Sequence, residues 1–502
     1  MNVSHIHSPL AKWAVEQPHK DAVRIGGTAL SYAALHERTL AVAHQLADLG
    51  IGPGDKVGIF MPKCLELPVA VYGILHAGAC YVPLDPNAPA ARVAQMMTDC
   101  GITTLLTVPA KAVALQAIAP KVPRLKTVIG APLVSLENIA SSGFAEPGDA
   151  RSIALPVPSD EDPCYVLFTS GSTGVPKGMV HSHGSARSYV HMAADLYEIK
   201  AEDRLANHAP LHFDLSKMDF FASLLRGATV VLVPDVVTKL PAEMSKLIQN
   251  EQITVWYSVP FALIQLEEHG VLEQRDFSQL RLMIFAGSPM PPGHLNALQK
   301  RLRHVRFSNA YGPAEANAVT AYHLPPEPHL KTEPVPIGFA TPNAQIHLSE
   351  EGELWVASDA LMLGYHNRDD LNEDAFVRLE GTRFYKSGDI VRQDATGCFH
   401  YIGRRDRQVK LRGQRIELDE VELALGTFTG VSEVAVVQSA DGHALIAFVT
   451  CAPGKPARVE DLTNHARRFL PAVAVPTTIH VVDGFERTST GKIDRKQLDI
   501  TA

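Results

Sequence analysis

Short apolar runs return at intervals along most of the chain, each too brief for a helix and each followed by a turn or a helix-like stretch. KVGIFM (56–61), CYVPL (80–84), TTLLTV (103–108), TVVLVP (229–234) and LRLMIFAG (280–287) are examples. A strand covered on both faces reads as a continuous apolar run, and strands that alternate with helices are joined into parallel sheets by crossovers. The pattern predicts an α/β fold whose large amino-terminal part is made of layered sheets and helices. The 502 residues, 46% hydrophobic and 20% charged, are enough for a large core.

The pattern changes near residue 403. GRRDRQVKLRGQRIELDEVE (403–422) is densely charged; two strand-like runs, VSEVAVVQ (431–438) and ALIAFVT (444–450), and a polar tail follow it. About a hundred residues of this kind make a small α+β domain. We place the amino-terminal domain at 1–403, a boundary at 404–406 and the carboxy-terminal domain at 407–502.

Several classes of function are disfavoured at once. Lys and Arg number 46 against 54 Asp and Glu, a net charge of −8, and no basic stripe offers a footprint for nucleic acid. The start, MNVSHIHSPLAKW, lacks the apolar centre of a secretory signal. LPVAVYGILHAGACYVPL (67–84) is long enough to span a membrane, but its histidine, prolines and glycines suit a buried helix followed by a buried strand. No membrane partner and a cytoplasmic location are therefore expected. The six cysteines are scattered without metal or disulfide spacing and read as buried free thiols.

The strongest local signal is YVLFTSGSTGVPKGMVHSHGS (165–185). A strand runs into Thr169, Ser170, Gly171, Ser172, Thr173 and Gly174, then into Pro176, Lys177 and Gly178. Hydroxyls and glycines let donors converge on phosphate oxygens, and Lys177 adds positive charge. The spacing is not that of a P-loop. A plain Ser/Gly surface loop is the weaker alternative.

This loop resembles the phosphate-binding signature of the adenylate-forming superfamily, which comprises acyl-CoA synthetases, luciferases and the adenylation domains of nonribosomal peptide synthetases. GACYVPLDPNAPAAR (78–92), NAYGPAEA (309–316), YKSGDIVRQDATG (385–397), the charged segment 403–422 and STGKIDRK (489–496) are similar to further signatures in the same order. The resemblance implies ATP and Mg²⁺ as cofactors and a carboxy-terminal domain that moves. It implies ATP contacts from Thr169 to Gly174 and from Gly287, Ser288, Asn309, Ala310, Tyr311, Gly312, Tyr401 and Arg404. Tyr311 would face the adenine, Asn309 its amino edge, and Asp389 would hold both ribose hydroxyls. Glu315 would bind magnesium, as a hard carboxylate oxygen does beside phosphate. Lys492 would bridge the attacking carboxylate and the α-phosphate as charge develops, with Lys177 and Glu315 as its catalytic companions. Two departures stand out: Ala314 takes the place of the usual threonine, and GFERTSTGK lacks the usual leucine–proline before Lys492.

The same resemblance orients the acid. Phe213-Asp214-Leu215-Ser216 is the form found in members that activate amino acids, with Asp214 against the substrate ammonium, because a buried cation without a counter-charge is costly. Asp214 could equally cap a helix over LSKMDFFASLL. Carried over position by position, the acyl pocket is Asp214, Leu215, Met218, Tyr257 (or Ser258), Ile284, Ala286, Ala310, Ala318, Val319 and Lys492. Apart from Asp214 and Lys492 nothing there is charged, so a small apolar side chain is expected. The Asp-Leu-x-Tyr-x-Ala pattern resembles free-standing enzymes that load proline; alanine or a small β-amino acid comes next. His181, His183, His208 and His212 lie near these motifs without a nucleophile elbow and read as structural, His212 being the one placed beside the pocket.

The chain stops ten residues after Lys492, so the thiol acceptor is expected in trans: the phosphopantetheine of a separate acyl or peptidyl carrier protein first, coenzyme A second. After adenylation, the small domain would pivot about Asp406 and bring the Lys410–Gly413 region to the site. Two competing readings are an acyl-CoA synthetase for a small acid and a nucleotide-binding homologue without catalysis.

Overall fold

The computed structural model describes residues 5–132, 136–148, 154–169, 176–327, 334–452, 456–487, 493 and 495–498. Among these, two large sheets carry the amino-terminal part. One has eight strands, in the order Gly364–Tyr365, Lys177–Ser182, Pro163–Thr169, Cys80–Pro83, Lys56–Phe60, Thr104–Thr107, Thr127–Ile129 and Ala140–Ser142. The other has nine: Phe339–Ala340, Thr320–His323, Arg306–Tyr311, Leu282–Phe285, Val255–Ser258, Arg204–Asn207, Thr229–Leu232, Asp21–Ile25 and Thr28–Ser31. Their interiors are parallel. The apolar runs read from the sequence supply five of these strands, each trimmed by one to four residues.

Covering a parallel sheet on both faces sends successive residues of a strand into different cores. Leu205, Val255, Leu282 and Ile284 point into a large cluster shared by the two sheets, while Ala206, Trp256, Met283 and Phe285 point away from it into a second. The shared cluster is filled by the helices Tyr32–Asp48, Glu66–His76 and His183–Leu196. Helices Pro241–Asn250, Pro260–His269 and Pro292–Arg301 cover the far face of the nine-stranded sheet, and Ala90–Asp99 and Ala112–Ile118 that of the eight-stranded sheet. The result is five layers, helix–sheet–helix–sheet–helix.

The apolar stretch 67–84 is the buried helix Glu66–His76 followed by the buried strand Cys80–Pro83. Among the described residues, no helix is long and apolar enough to cross a membrane. All six cysteines are free, four of them buried.

A five-stranded sheet follows, with Thr382–Gln393 at its centre. The smaller carboxy-terminal part has a hairpin, Gln408–Leu411 with Gln414–Glu417, the helices Leu418–Gly426 and Val459–Ala466, and a three-stranded sheet with its own core. Both the mixed α/β class and the large-plus-small division expected from the sequence are present.

The helix Glu66–His76 lies so close to Tyr32–Asp48 that a Cβ on Gly73 would stand 2.7 Å from Val42 Cγ1. Overpacking of a tight core costs about 1–3 kcal/mol, against about 1 kcal/mol of helix propensity gained. Gly73→Ala is expected to lower the unfolding midpoint, and Val42→Ala in the same chain to recover part of the loss. A double-mutant cycle read by chemical unfolding checks this: additive effects would mean the helices do not meet at this point.

Candidate active site

In open α/β sheets, side chains that meet a ligand gather beyond the carboxyl ends of parallel strands, where backbone groups run out of ladder partners. Here both large sheets aim those ends at one cleft. Thr169 closes the strand Pro163–Thr169; Tyr257, Ala286, Gly287, Ala310, Tyr311 and Gly312 lie at the ends of three neighbouring strands of the other sheet. Asp214, Leu215 and His212 come from the segment after Arg204–Asn207, and Ala314, Asn317 and Ala318 from the turn after Tyr311. The carboxy-terminal hairpin completes the lining with Gln408, Lys410, Gly413, Gln414 and Arg415.

One wall is a network around Asp389, which is almost fully buried. Tyr311 Oη donates to its Oδ2 at 2.5 Å and Arg404 Nη1 to its Oδ1 at 2.7 Å. The same guanidinium holds both oxygens of Asp406, at 2.7 and 2.6 Å. Burial and the neighbouring Asp389 push the Tyr311 phenol up. Tyr401 stands 6.5 Å from the Tyr311 ring, Lys410 Nζ is 5.7 Å from that ring's centre, and Asn309 Nδ2 donates to Pro336 O.

Glu315 is wholly buried at the junction of the two parts. Arg415 Nη1 donates to both of its oxygens, at 2.7 and 2.9 Å, and Tyr365 Oη adds a third bond at 2.6 Å. Burial alone would raise this carboxyl, but the Arg415 charge and the tyrosine hold it down at about 2. Lys177, paired across the strands with Thr169, reaches Glu417 Oε1 at 3.3 Å. The hairpin tip also comes close: a Cβ on Gly413 would lie 2.2 Å from Val259, and φ there is +80°. Only glycine allows that approach.

Of the residues expected at the site, Ser170, Gly171, Ser172, Thr173, Gly174 and Lys492 lie outside the described residues. Met218, Ile284 and Val319 are fully buried and stand behind the cleft wall, with Tyr257 and not Ser258 lining it. Glu315, Lys177, Ser288, Asn309 and Tyr401 flank the cleft without lining it. Asp214 caps no helix: its carboxylate has no hydrogen bond or ion pair among the described residues, and the helical segment after it opens as a wide turn, Met218–Ala222. His212 does line the cleft, whereas His181 is buried against Tyr165 and His208 is half-buried beside Trp256.

Sequence reasoning missed Arg415, Glu417, Tyr365, Tyr189 and Lys217. Lys217 is buried behind the acyl wall, its Nζ donating to Asn317 Oδ1 and lying 4.8 Å from the Tyr165 ring centre. A lysine three residues after Asp214 in an otherwise apolar segment was the available signal.

The site and the layers belong to an enzyme that handles nucleotides. The chain is a member of the AMP-binding enzyme family, whose model matches residues 10–366, and the model of the AMP-binding enzyme C-terminal domain matches residues 420–492. It is 34% identical over 504 residues to an L-proline–[L-prolyl-carrier protein] ligase of Pseudomonas fluorescens, covering 98% of each chain. A protein of the same name from Streptomyces coelicolor is 32% identical over 505 residues, covering 95% of this chain and 93% of its own. Among solved structures, the Vibrio cholerae adenylation domain AlmE, in complex with glycyl-adenosine-5'-phosphate, superposes with a TM-score of 0.85 at 25% identity, over 99% and 98% of the two chains.

Burial draws Lys217 down to about 8, against the upward pull of Asp214. An unfolded lysine keeps its proton to about 10.4, so the unfolded chain binds more protons between those values and stability rises with pH across them, by up to roughly 3 kcal/mol. Lys217→Met is expected to remove that rise. Unfolding midpoints of both proteins from pH 7.5 to 10.5 check this; parallel curves would count against a buried ammonium.

Proposed function

We propose that this enzyme activates an amino acid with ATP as an aminoacyl-adenylate and passes it to the phosphopantetheine thiol of a separate carrier protein, in the cytoplasm. Asp214 carries the reading. Its carboxylate faces a cleft walled by Ala286, Ala310 and Ala318 and, among the described residues, has no hydrogen bond or ion pair, though the buried Lys217 ammonium feels its charge. A substrate ammonium in the cleft would supply a directly bonded counter-charge. Both relatives named above as prolyl-carrier-protein ligases are matched over nearly their whole length, which supports a carrier protein as acceptor over coenzyme A and proline as the leading substrate.

The adenine stacks on Tyr311, next to Asn309, and Asp389 accepts from the ribose hydroxyls. Thr169 to Gly174 and Lys177 hold the phosphates. Glu315 offers a hard oxygen donor that fits a magnesium ion once Arg415 has withdrawn; the ion would neutralise phosphate charge. Lys492 meets the charge that develops as the substrate carboxylate attacks the α-phosphate and pyrophosphate departs. The small domain then turns about Asp406 and presents the hairpin Gln408–Glu417 for attack by the thiol.

The test is pyrophosphate exchange with proline, alanine, serine, a β-amino acid, phenylalanine and glutamate, followed by thioester formation on a carrier protein or coenzyme A. Proline is expected to lead. Since one methylene is worth only about 1–3 kcal/mol, small relatives should also react. Asp214→Ala should cost about 2–5 kcal/mol in kcat/KM, the loss of a buried charge partner. A win for phenylalanine or glutamate, or a harmless Asp214→Ala, overturns the pocket reading; exchange with no amino acid overturns the function. Lys492→Ala should abolish exchange while ATP still binds by calorimetry.

A further inference from the structure

Asp214 is not the only charge at the acyl end of the cleft. Lys217 stands one turn further along the same segment, its backbone N–H donating to Asp214 O at 3.3 Å. Residues of the large part hold its ammonium: Nζ donates to Asn317 Oδ1 and lies 4.8 Å from the Tyr165 ring centre and 5.7 Å from that of Tyr189. Asn317 and Tyr189 both line the cleft, so the charge sits directly behind that wall. Asn317 is itself fixed, its Nδ2 donating to Ala360 O. Burial draws Lys217 down only to about 8, against the upward pull of Asp214, so at neutral pH the ammonium keeps its charge.

A carboxylate in an apolar pocket attracts any ammonium, whether it sits on the α-carbon or at the end of a side chain. Asp214 by itself would therefore admit a basic amino acid. We propose that Lys217 is a specificity-determining residue: its fixed positive charge, set behind Asn317 and Tyr189, turns basic side chains away from the pocket and reserves Asp214 for the α-ammonium. The proposal rests on the adenylation reading of the site. Two ammoniums about 8 Å apart, at an effective dielectric constant of about 20, repel enough to cost roughly thirtyfold in affinity. The α-ammonium offsets that cost through its direct bond to Asp214. A side-chain ammonium reaching towards Asn317 meets no carboxylate and cannot. Selectivity then comes from a repulsive element built against the wrong substrate, in a pocket whose remaining walls are apolar.

Norvaline and 2,4-diaminobutyrate carry side chains of equal length that differ by an ammonium in place of a methyl group. The ratio of their kcat/KM values in pyrophosphate exchange at neutral pH therefore reads charge and not size. Wild-type enzyme is expected to favour norvaline by about thirtyfold or more. Lys217→Met removes the charge, and Lys217→Gln removes it while keeping a donor for Asn317. Each should lower the ratio by about tenfold or more, a relative gain of the basic substrate that a merely structural role would not produce. Partial unfolding of a variant depresses both rates alike and leaves the ratio unmoved. Lys217→Arg, which keeps the charge, should retain the wild-type preference. Equal use of the two substrates by the wild-type enzyme overturns the proposal, as does a ratio that neither neutral variant lowers. Failure of the functional reading looks different: no amino acid, proline included, supports exchange.

Discussion

A carboxylate with no access to water must either take a proton or keep a cation beside it, and Glu315, held down by Arg415, keeps the cation. The turn after Tyr311 buries Glu315, Tyr365 satisfies one oxygen, and the backbone N–H of Met362 holds its carbonyl. The remaining bonds come from Arg415, a residue of the other part of the chain. The seam between large and small parts is thus organised by charge complementarity over a few residues, with Arg92 to Glu420 as a further pair across it. Apolar packing there is light: the core of the small part is separate from those of the large part. Such a contact has a defined geometry and can still be released, which suits the turn of the small domain proposed above.

The five layers explain why the cleft lies where it does. Parallel strands of two sheets end on the same side, so residues far apart in sequence, such as Thr169, Tyr257 and Ala310, become neighbours without any of them leaving its strand end. The rigid part of the site is borrowed from the sheets. The rest sits on turns, where Asp214 and Asn317 are found.

Much of this was legible in the sequence, for a physical reason. Strands buried on both faces leave unbroken apolar runs, and the runs at 56, 80, 103, 229 and 280 all become strands. Tyr311, Asp389 and Arg404 were legible only through the motifs around them; that they would bond to each other was not, because the partners are 78 and 15 residues apart. Met218, Ile284 and Val319 show the limit of carrying positions across. Strand Leu282–Phe285 pleats Ile284 into the core between the sheets, so a position can match a pocket motif and still sit behind the wall. Lys217 and Arg415 were hidden by their type. A lone lysine or arginine is normally solvated, and only the fold reveals that its neighbours leave no water.

Both large sheets stop at their margins on very short strands: Gly364–Tyr365 and Ala140–Ser142 on one, Phe339–Ala340 and Thr28–Ser31 on the other. A long parallel interior is a strongly adhesive surface wherever its ladder is left open. Two to four residues of edge offer a second molecule too few hydrogen bonds to hold on to. Among the described residues, each margin of the two large sheets therefore gives a neighbouring copy only a brief foothold.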